Sequence, residues 1–199
     1  MRRLLRAKLA HVEHEVHEFI KNRWSPRSFD DKKIEKEKIL SLFESARWAS
    51  SAHNEQPWRF VYAAKDNRAN YNKLLECVNE NNRVWIATAP LLMLAVIKND
   101  MVRDNKPNRH AMYDLGLATG NIMVEATSLG LYVHVIGGFD GEKARTLFNI
   151  SSAYSPVTMI AVGYLGKPDA LPEKYKALET SPRTRKKIEE FAFEGIFKA

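Results

Sequence analysis

The chain predicts an α+β fold in which a central sheet, mostly antiparallel or mixed, is flanked by helices. Three observations point there. Apolar or alternating runs of strand length recur at Trp58–Ala63, Leu91–Ile97, Leu131–Ile136 and Val157–Tyr164. Amphipathic segments separate them without the regular strand–helix alternation of a doubly wound sheet. GxGxxG and Walker-type glycine loops are both absent, which disfavours a Rossmann or P-loop nucleotide site. With 199 residues and 45% hydrophobic composition, the chain is sized for one domain, residues 1–199, with an ordinary core.

The elements follow in order. Leu5, Leu9, Val12, Val16, Phe19 and Ile20 recur at three- and four-residue spacing and predict one amphipathic helix over Arg2–Lys21, a helical arm over residues 1–21. Pro26 interrupts that pattern. Lys33–Ala49 reads as a second helix with Ile34, Ile39, Leu42, Phe43 and Ala46 on its apolar face. Ser50–Pro57 is a loop that enters the strand Trp58–Ala63. Tyr71–Asn79 is a short helix, and Arg83–Ala89 a helical turn before Pro90. Leu91–Ile97 is continuously apolar, as a central strand is.

Met101–Arg109 is polar and charged, hence an exposed loop. His110–Leu129 carries the strongest helical pattern. Its small residues, Gly116, Ala118, Gly120 and Ala126, permit close helix-to-helix approach, and Gly130 stands at its C-terminal end. Leu131–Ile136 is a strand that runs into Gly137-Gly138-Phe139. Lys143–Phe148 is a short helix, and Val157–Tyr164 a strand closed by Gly166 and Pro168. The tail from residue 171 to 199 is Pro-punctuated and basic.

Composition excludes some classes. One cysteine, Cys77, permits no intramolecular disulfide, and no metal-ligand spacing is present. His11, His14 and His17 drift around a helix rather than sharing a face. His134 reads as a packed or hydrogen-bonded strand residue, and Tyr113, Tyr132 and Trp85 as core. No GxSxG elbow supports a Ser-His-Asp triad. The net charge of +7 sits largely at the two ends and is not organised into a nucleic-acid readout motif. Absence of a bilayer-length apolar stretch and of a leader pattern predicts a soluble, cytoplasmic protein with no membrane partner.

Two segments carry the chemistry. Arg23-Trp24-Ser25-Pro26-Arg27-Ser28-Phe29 places two guanidinium groups and hydroxyls at a helix end. Guanidinium pairs bidentately with phosphate, although such a stretch in isolation more often caps a helix C-terminus. Arg183 and Arg185 offer a second pair for the same anion, or simply a solvated charge run. In Ala49-Ser50-Ser51-Ala52-His53-Asn54-Glu55-Gln56-Pro57-Trp58, the amides of Asn54 and Gln56 present donor and acceptor together. They suit a heteroatom-rich ring, or else they satisfy the loop backbone. Gly137-Gly138 lets backbone approach a planar group, or serves as a plain strand-ending turn. The combination suits a ligand that is anionic at one end and rich in hydrogen-bonding heteroatoms at the other.

The order of these pieces resembles the nitroreductase family of FMN-dependent oxidoreductases. Arg23 to Arg27 is followed by the Ala49–Trp58 loop and the strand from Arg59. Asp114-Leu115-Gly116-Leu117-Ala118, Ser128 to Leu131, Gly137-Gly138-Phe139 and Arg183-Thr184-Arg185 come after. The resemblance spans roughly residues 19–188 and implies a homodimer with an FMN site lined by both subunits. It implies that Arg23, Trp24, Ser25 and Arg27 hold the phosphate and pyrimidine edge, joined by Arg183 and Arg185 at the phosphate. Ser50, Ser51, Asn54 and Gln56 would reach the flavin from the other subunit, and Ile136, Gly137 and Gly138 would lie along the ring. The tail, residues 171–199, would pack on the partner.

The activity implied is ping-pong transfer from NAD(P)H through FMN to a nitroaromatic, quinone or similar acceptor. A non-reducing flavin-binding sensor or scavenger, or a flavin-processing or dehalogenating member of the same fold, is the alternative. No catalytic side chain is named, because hydride transfer is the cofactor's own chemistry. Ser50 replaces a proline common in the family, and Gly137 a glutamate found in some members. Long lid insertions are missing, which leaves the acceptor pocket open or built from Met101–Arg109.

Overall fold

The computed structural model describes residues 1–198 (for residues 2 and 3, the backbone alone), so residue 199 of the predicted domain lies outside the described residues. The elements are α1 Arg2–Lys8, α2 Glu18–Asn22, α3 Lys36–Arg47, β1 Trp58–Ala64, α4 Arg68–Cys77, α5 Glu80–Ile86, β2 Leu91–Lys98, α6 Ala111–Ser128, β3 Tyr132–Ile136, α7 Gly141–Leu147, β4 Tyr154–Gly163 and α8 Glu173–Thr180.

The strands form one sheet in the order β1-β2-β4-β3, and every neighbouring pair is antiparallel. β2 is central and explains its own composition. Side chains alternate across a sheet. Leu91, Met93, Ala95 and Ile97 therefore join the core under α3 and α6, while Leu92, Leu94 and Val96 join the core under α4, α5 and α7. Buried on both faces, the strand has no place for a polar residue before Lys98. Pro156 of β4 lacks a backbone donor, and the β2–β4 register shifts beside it, between Ala95 and Val96.

After β4 the chain pairs with the segment that follows α2. Asp30 N donates to Tyr164 O at 2.9 Å, and Gly166 N donates to Ser28 O at 2.9 Å. A Cβ on Gly166 would stand 2.6 Å from the Phe29 carbonyl carbon, so only glycine admits this approach.

The N-terminal expectation fails. The predicted helix over Arg2–Lys21 is two short helices, α1 and α2, joined by an irregular stretch. Leu9 leaves α1 in an extended conformation, and the His17 side chain caps α2 by accepting from Phe19 N. The stripe Leu5, Leu9, Val12, Val16 and Ile20 is exposed, so no core contact in this chain favours one helix over its length. Tyr113, read as core, is 69% exposed on α6. Gly116 and Gly120 of the same helix face open space.

Candidate functional site

The site begins with the Arg23–Ser28 segment, and its backbone is held from several directions. Glu179 of α8 accepts from Arg27 N at 2.9 Å and from Ser28 N at 3.1 Å. Ser28 Oγ donates to Lys167 O at 2.7 Å. His134 Nδ1 lies 2.8 Å from Pro26 O; the carbonyl can only accept, so Nδ1 carries the proton. Burial, the larger effect, lowers the His134 pKa to about 4, although its bond to Pro26 opposes this. Trp24 is buried, sits 6.0 Å edge-on from Tyr132, and carries the Lys8 ammonium 4.8 Å from its ring centroid.

The C-terminal arginines converge on the same segment. Arg183 donates to the carbonyls of Arg23 and Lys21. Arg23, Ser25, Arg27, Glu179, Arg183 and Arg185 share a cavity of about 160 Å³. Arg23, Arg183 and Arg185 also line an adjoining one of about 240 Å³. Burial and then Arg185 push the Arg23 guanidinium below its ordinary value, and burial, Arg23 and Arg185 do the same to Arg183. None of the four arginines forms an ion pair among the described residues. Crowded guanidiniums without a paired carboxylate favour an incoming anion. Trp24 lines the smaller cavity, and its buried indole N–H has no hydrogen-bond partner among the described residues.

The Ser50–Gln56 loop is built differently. A 3-10 turn spans Ala52–Asn54, and His53, Asn54 and Gln56 all have left-handed backbone, at φ 54, 57 and 47. Non-glycine residues held this way collect at functional sites. Ser51 Oγ accepts from Gln56 N at 3.1 Å, and Gln56 Nε2 donates to Asn54 O and Oδ1 at 3.1 and 3.0 Å. Asp114, buried in the first turn of α6, accepts from Ala52 N at 3.2 Å. Glu55 accepts from the backbone of Val102 and Arg103, which ties the loop to the 101–109 segment.

Ile136 is buried at the end of β3, and its carbonyl accepts from Thr158 Oγ1 at 2.8 Å. Gly137 and Gly138 line a separate cleft of about 470 Å³ with Asn79 and Asp140. A Cβ at Gly138 would meet the Asn79 and Asn82 amides, whereas one at Gly137 would meet nothing within 4 Å. A cavity of about 610 Å³ beside Tyr71 and Pro90 holds none of the residues expected to bind a ligand.

One chain thus brings Arg23, Trp24, Ser25, Arg27, Arg183 and Arg185 together. Ser50, Ser51, Asn54 and Gln56 line neither arginine cavity, and Gly137 and Gly138 line a different cleft. Sequence reasoning missed Lys8, Glu179 and the anchoring role of His134. Glu179 did leave a signal, because Leu171, Tyr175 and Glu179 follow at four-residue spacing and all are buried. An acid on an apolar helix face needs a partner.

Known proteins agree with this architecture. A solved structure described as an oxidoreductase containing FMN is 31% identical and superposes with a TM-score of 0.89, covering 94% of this chain and 96% of that one. An uncharacterized 15.4 kDa protein of Mycolicibacterium smegmatis is 31% identical over 115 residues, 58% of this chain and 75% of its own length. YodC of Bacillus subtilis, which carries a provisional name as an NAD(P)H nitroreductase, is 27% identical over 75% of this chain and 89% of its own. The sequence model of the nitroreductase family matches residues 20–164, most of the chain and both of its sheet edges, and the chain belongs to that family.

Proposed function

We propose that the chain is an FMN-dependent oxidoreductase that takes electrons from NAD(P)H and delivers them to a nitroaromatic, quinone or similar small acceptor. The observation that carries this is the arginine cluster. Arg23, Arg27, Arg183 and Arg185 surround a cavity of about 160 Å³ and form no ion pair among the described residues; the carboxylate on its wall, Glu179, is bonded to backbone N–H groups instead. Family membership and an FMN-containing structural neighbour support the identity of the anion. The residues present therefore fit the phosphate end of a flavin nucleotide.

Arg23, Arg27, Arg183 and Arg185 hold the phosphate, with Ser25 as a small donor. When bound, the flavin supplies the redox chemistry, accepting reducing equivalents from NAD(P)H and passing them on in a second half-reaction. The chain's part is to bind, orient and exclude water. Gly137 presents bare backbone, open to a planar ring.

A second copy of the chain completes the site. The arginine-lined cavities, about 160 and 240 Å³, are smaller than the pockets that enclose whole cofactors. The Ser50–Gln56 loop, which lines neither arginine cavity of its own chain, reaches the partner's flavin with Ser50, Ser51, Asn54 and Gln56. The outer face of α6 suits such an approach, with Gly116 and Gly120 open and Met112 and Tyr113 exposed. Among the described residues no helix is long and apolar enough to cross a membrane.

The test is the visible spectrum of the purified protein with FMN added, followed anaerobically by NADH and then NADPH. A flavin spectrum that bleaches supports the oxidoreductase and identifies the donor. A flavin spectrum that never bleaches points instead to a non-reducing binding module. A protein that takes up no FMN sinks both.

A further inference from the structure

Arg27 sits in an irregular segment, and Arg183 follows a helix more than 150 residues later. Long flexible side chains from two such places need a common brace before they can share one anion. Glu179 is placed to be that brace. Its carboxylate is wholly buried on α8, and each oxygen accepts a backbone N–H of the arginine segment, Oε2 from Arg27 and Oε1 from Ser28. It forms no ion pair with Lys8 or Arg27 among the described residues, so its hydrogen bonds go to the chain's path rather than to a side-chain charge.

The same end of α8 is gripped from the N-terminal side. Lys8 Nζ donates to Ser181 O at 2.6 Å and to Leu178 O at 3.3 Å. The chain then leaves toward Arg183, whose guanidinium returns to the Arg23 and Lys21 carbonyls. One helix end therefore fixes the height of the Arg27 backbone and launches the tail arginines. We propose that Glu179 is a positioning residue that holds Arg27 and the Arg183–Arg185 tail in register around one phosphate. This rests on the flavin-phosphate reading above. Glu179 lines the same cavity, but a carboxylate is acceptor-only and offers a phosphate no donor, so it acts through the backbone it holds.

The test compares dissociation constants for FMN and riboflavin, which differ only in the phosphate, in the wild type, Glu179→Ala and Glu179→Gln. Flavin fluorescence reports binding. In the wild type FMN binds more tightly than riboflavin. In Glu179→Ala the FMN constant rises about tenfold while the riboflavin constant stays within about twofold, since only the phosphate contacts lose their geometry. Glu179→Gln, nearly isosteric and able to accept one of the two N–H groups, falls between. If Glu179→Ala does not fold, the Gln variant alone carries the comparison.

A merely structural role predicts a different result. The melting temperature would fall and both constants would rise by the same factor, or neither would change, and either outcome overturns the inference. A wild type that binds FMN no better than riboflavin overturns the phosphate reading beneath it, before any variant is made.

Discussion

The two candidate ligand-binding segments of this chain are stabilised in different ways. Arg23–Ser28 has almost no local structure of its own. It is held by residues far away in sequence: Glu179 across 152 positions, His134 across 108, and Arg183 across 160. Ser50–Gln56 is held mostly by itself, through a 3-10 turn, left-handed residues and an amide pair two positions apart. The first segment is finished when one chain folds. The second keeps a compact local shape, tied to the rest of the chain by Asp114 and by the Glu55 bonds to the 101–109 segment. Preorganisation is reached by long-range bracing in one case and by stored local strain in the other.

Acid should break the braced segment first. His134 is neutral and mostly buried, with a pKa of about 4 against an ordinary 6.5. Below pH 6.5 the unfolded chain takes up a proton that the folded chain refuses, so the stability present above that pH is lost as pH falls toward 4. The loss attributable to this group is about 3 kcal/mol. Glu179, raised by burial above all, works in the opposite sense where it titrates. Urea unfolding of wild type and His134→Asn at pH 7 and pH 4.5 isolates the histidine, and the acid loss should shrink in the variant. Equal losses in both would remove His134 from the bracing.

Removing one arginine has a somewhat smaller effect. Arg23→Ala should weaken FMN binding roughly 10- to 100-fold, the range for a charge-assisted contact, with little change in melting temperature. Equilibrium dialysis reads it, and full retention of flavin would mean the phosphate lies elsewhere. The smallest effect tests the strained loop. His53→Gly relieves a left-handed residue at φ 54, gaining up to about 1 kcal/mol against the entropy that glycine loses on folding. An unfolding free energy from chemical denaturation that falls by more than that amount would show that the His53 side chain anchors the loop.

The fold was legible where periodicity and burial agree. The continuous apolar run of β2 predicts a strand buried on both faces, and the α3 stripe Ile39, Leu42 and Ala46 is buried as spaced. Legibility failed where apolar spacing exists without a core to bury it. Leu5, Leu9, Val12, Val16 and Ile20 keep helical spacing yet remain exposed, and the helix breaks between them. Tyr113 is the same error on a smaller scale. In the site, the arginines and the amide loop were visible as motifs, but their supports were not. Lys8 on Ser181 O spans 173 positions, and no local pattern encodes a contact of that range. Glu179 was recognisable only as a charge on an apolar face. Nothing in one sequence says which backbone it would meet.

Subunit complementation tests the central claim most directly. One chain would carry Arg23→Ala with Arg183→Ala, the other Asn54→Ala with Gln56→Ala, each under a different affinity tag, and the doubly tagged species would be isolated. If the arginine half of each site comes from one copy and the loop half from the other, such a heterodimer holds one doubly damaged site and one intact site. Each parent homodimer binds FMN weakly, and the heterodimer should recover tight binding at one flavin per pair. A heterodimer as deficient as both parents, or a doubly tagged species that never forms, would contradict the claim that the two segments meet across a subunit boundary.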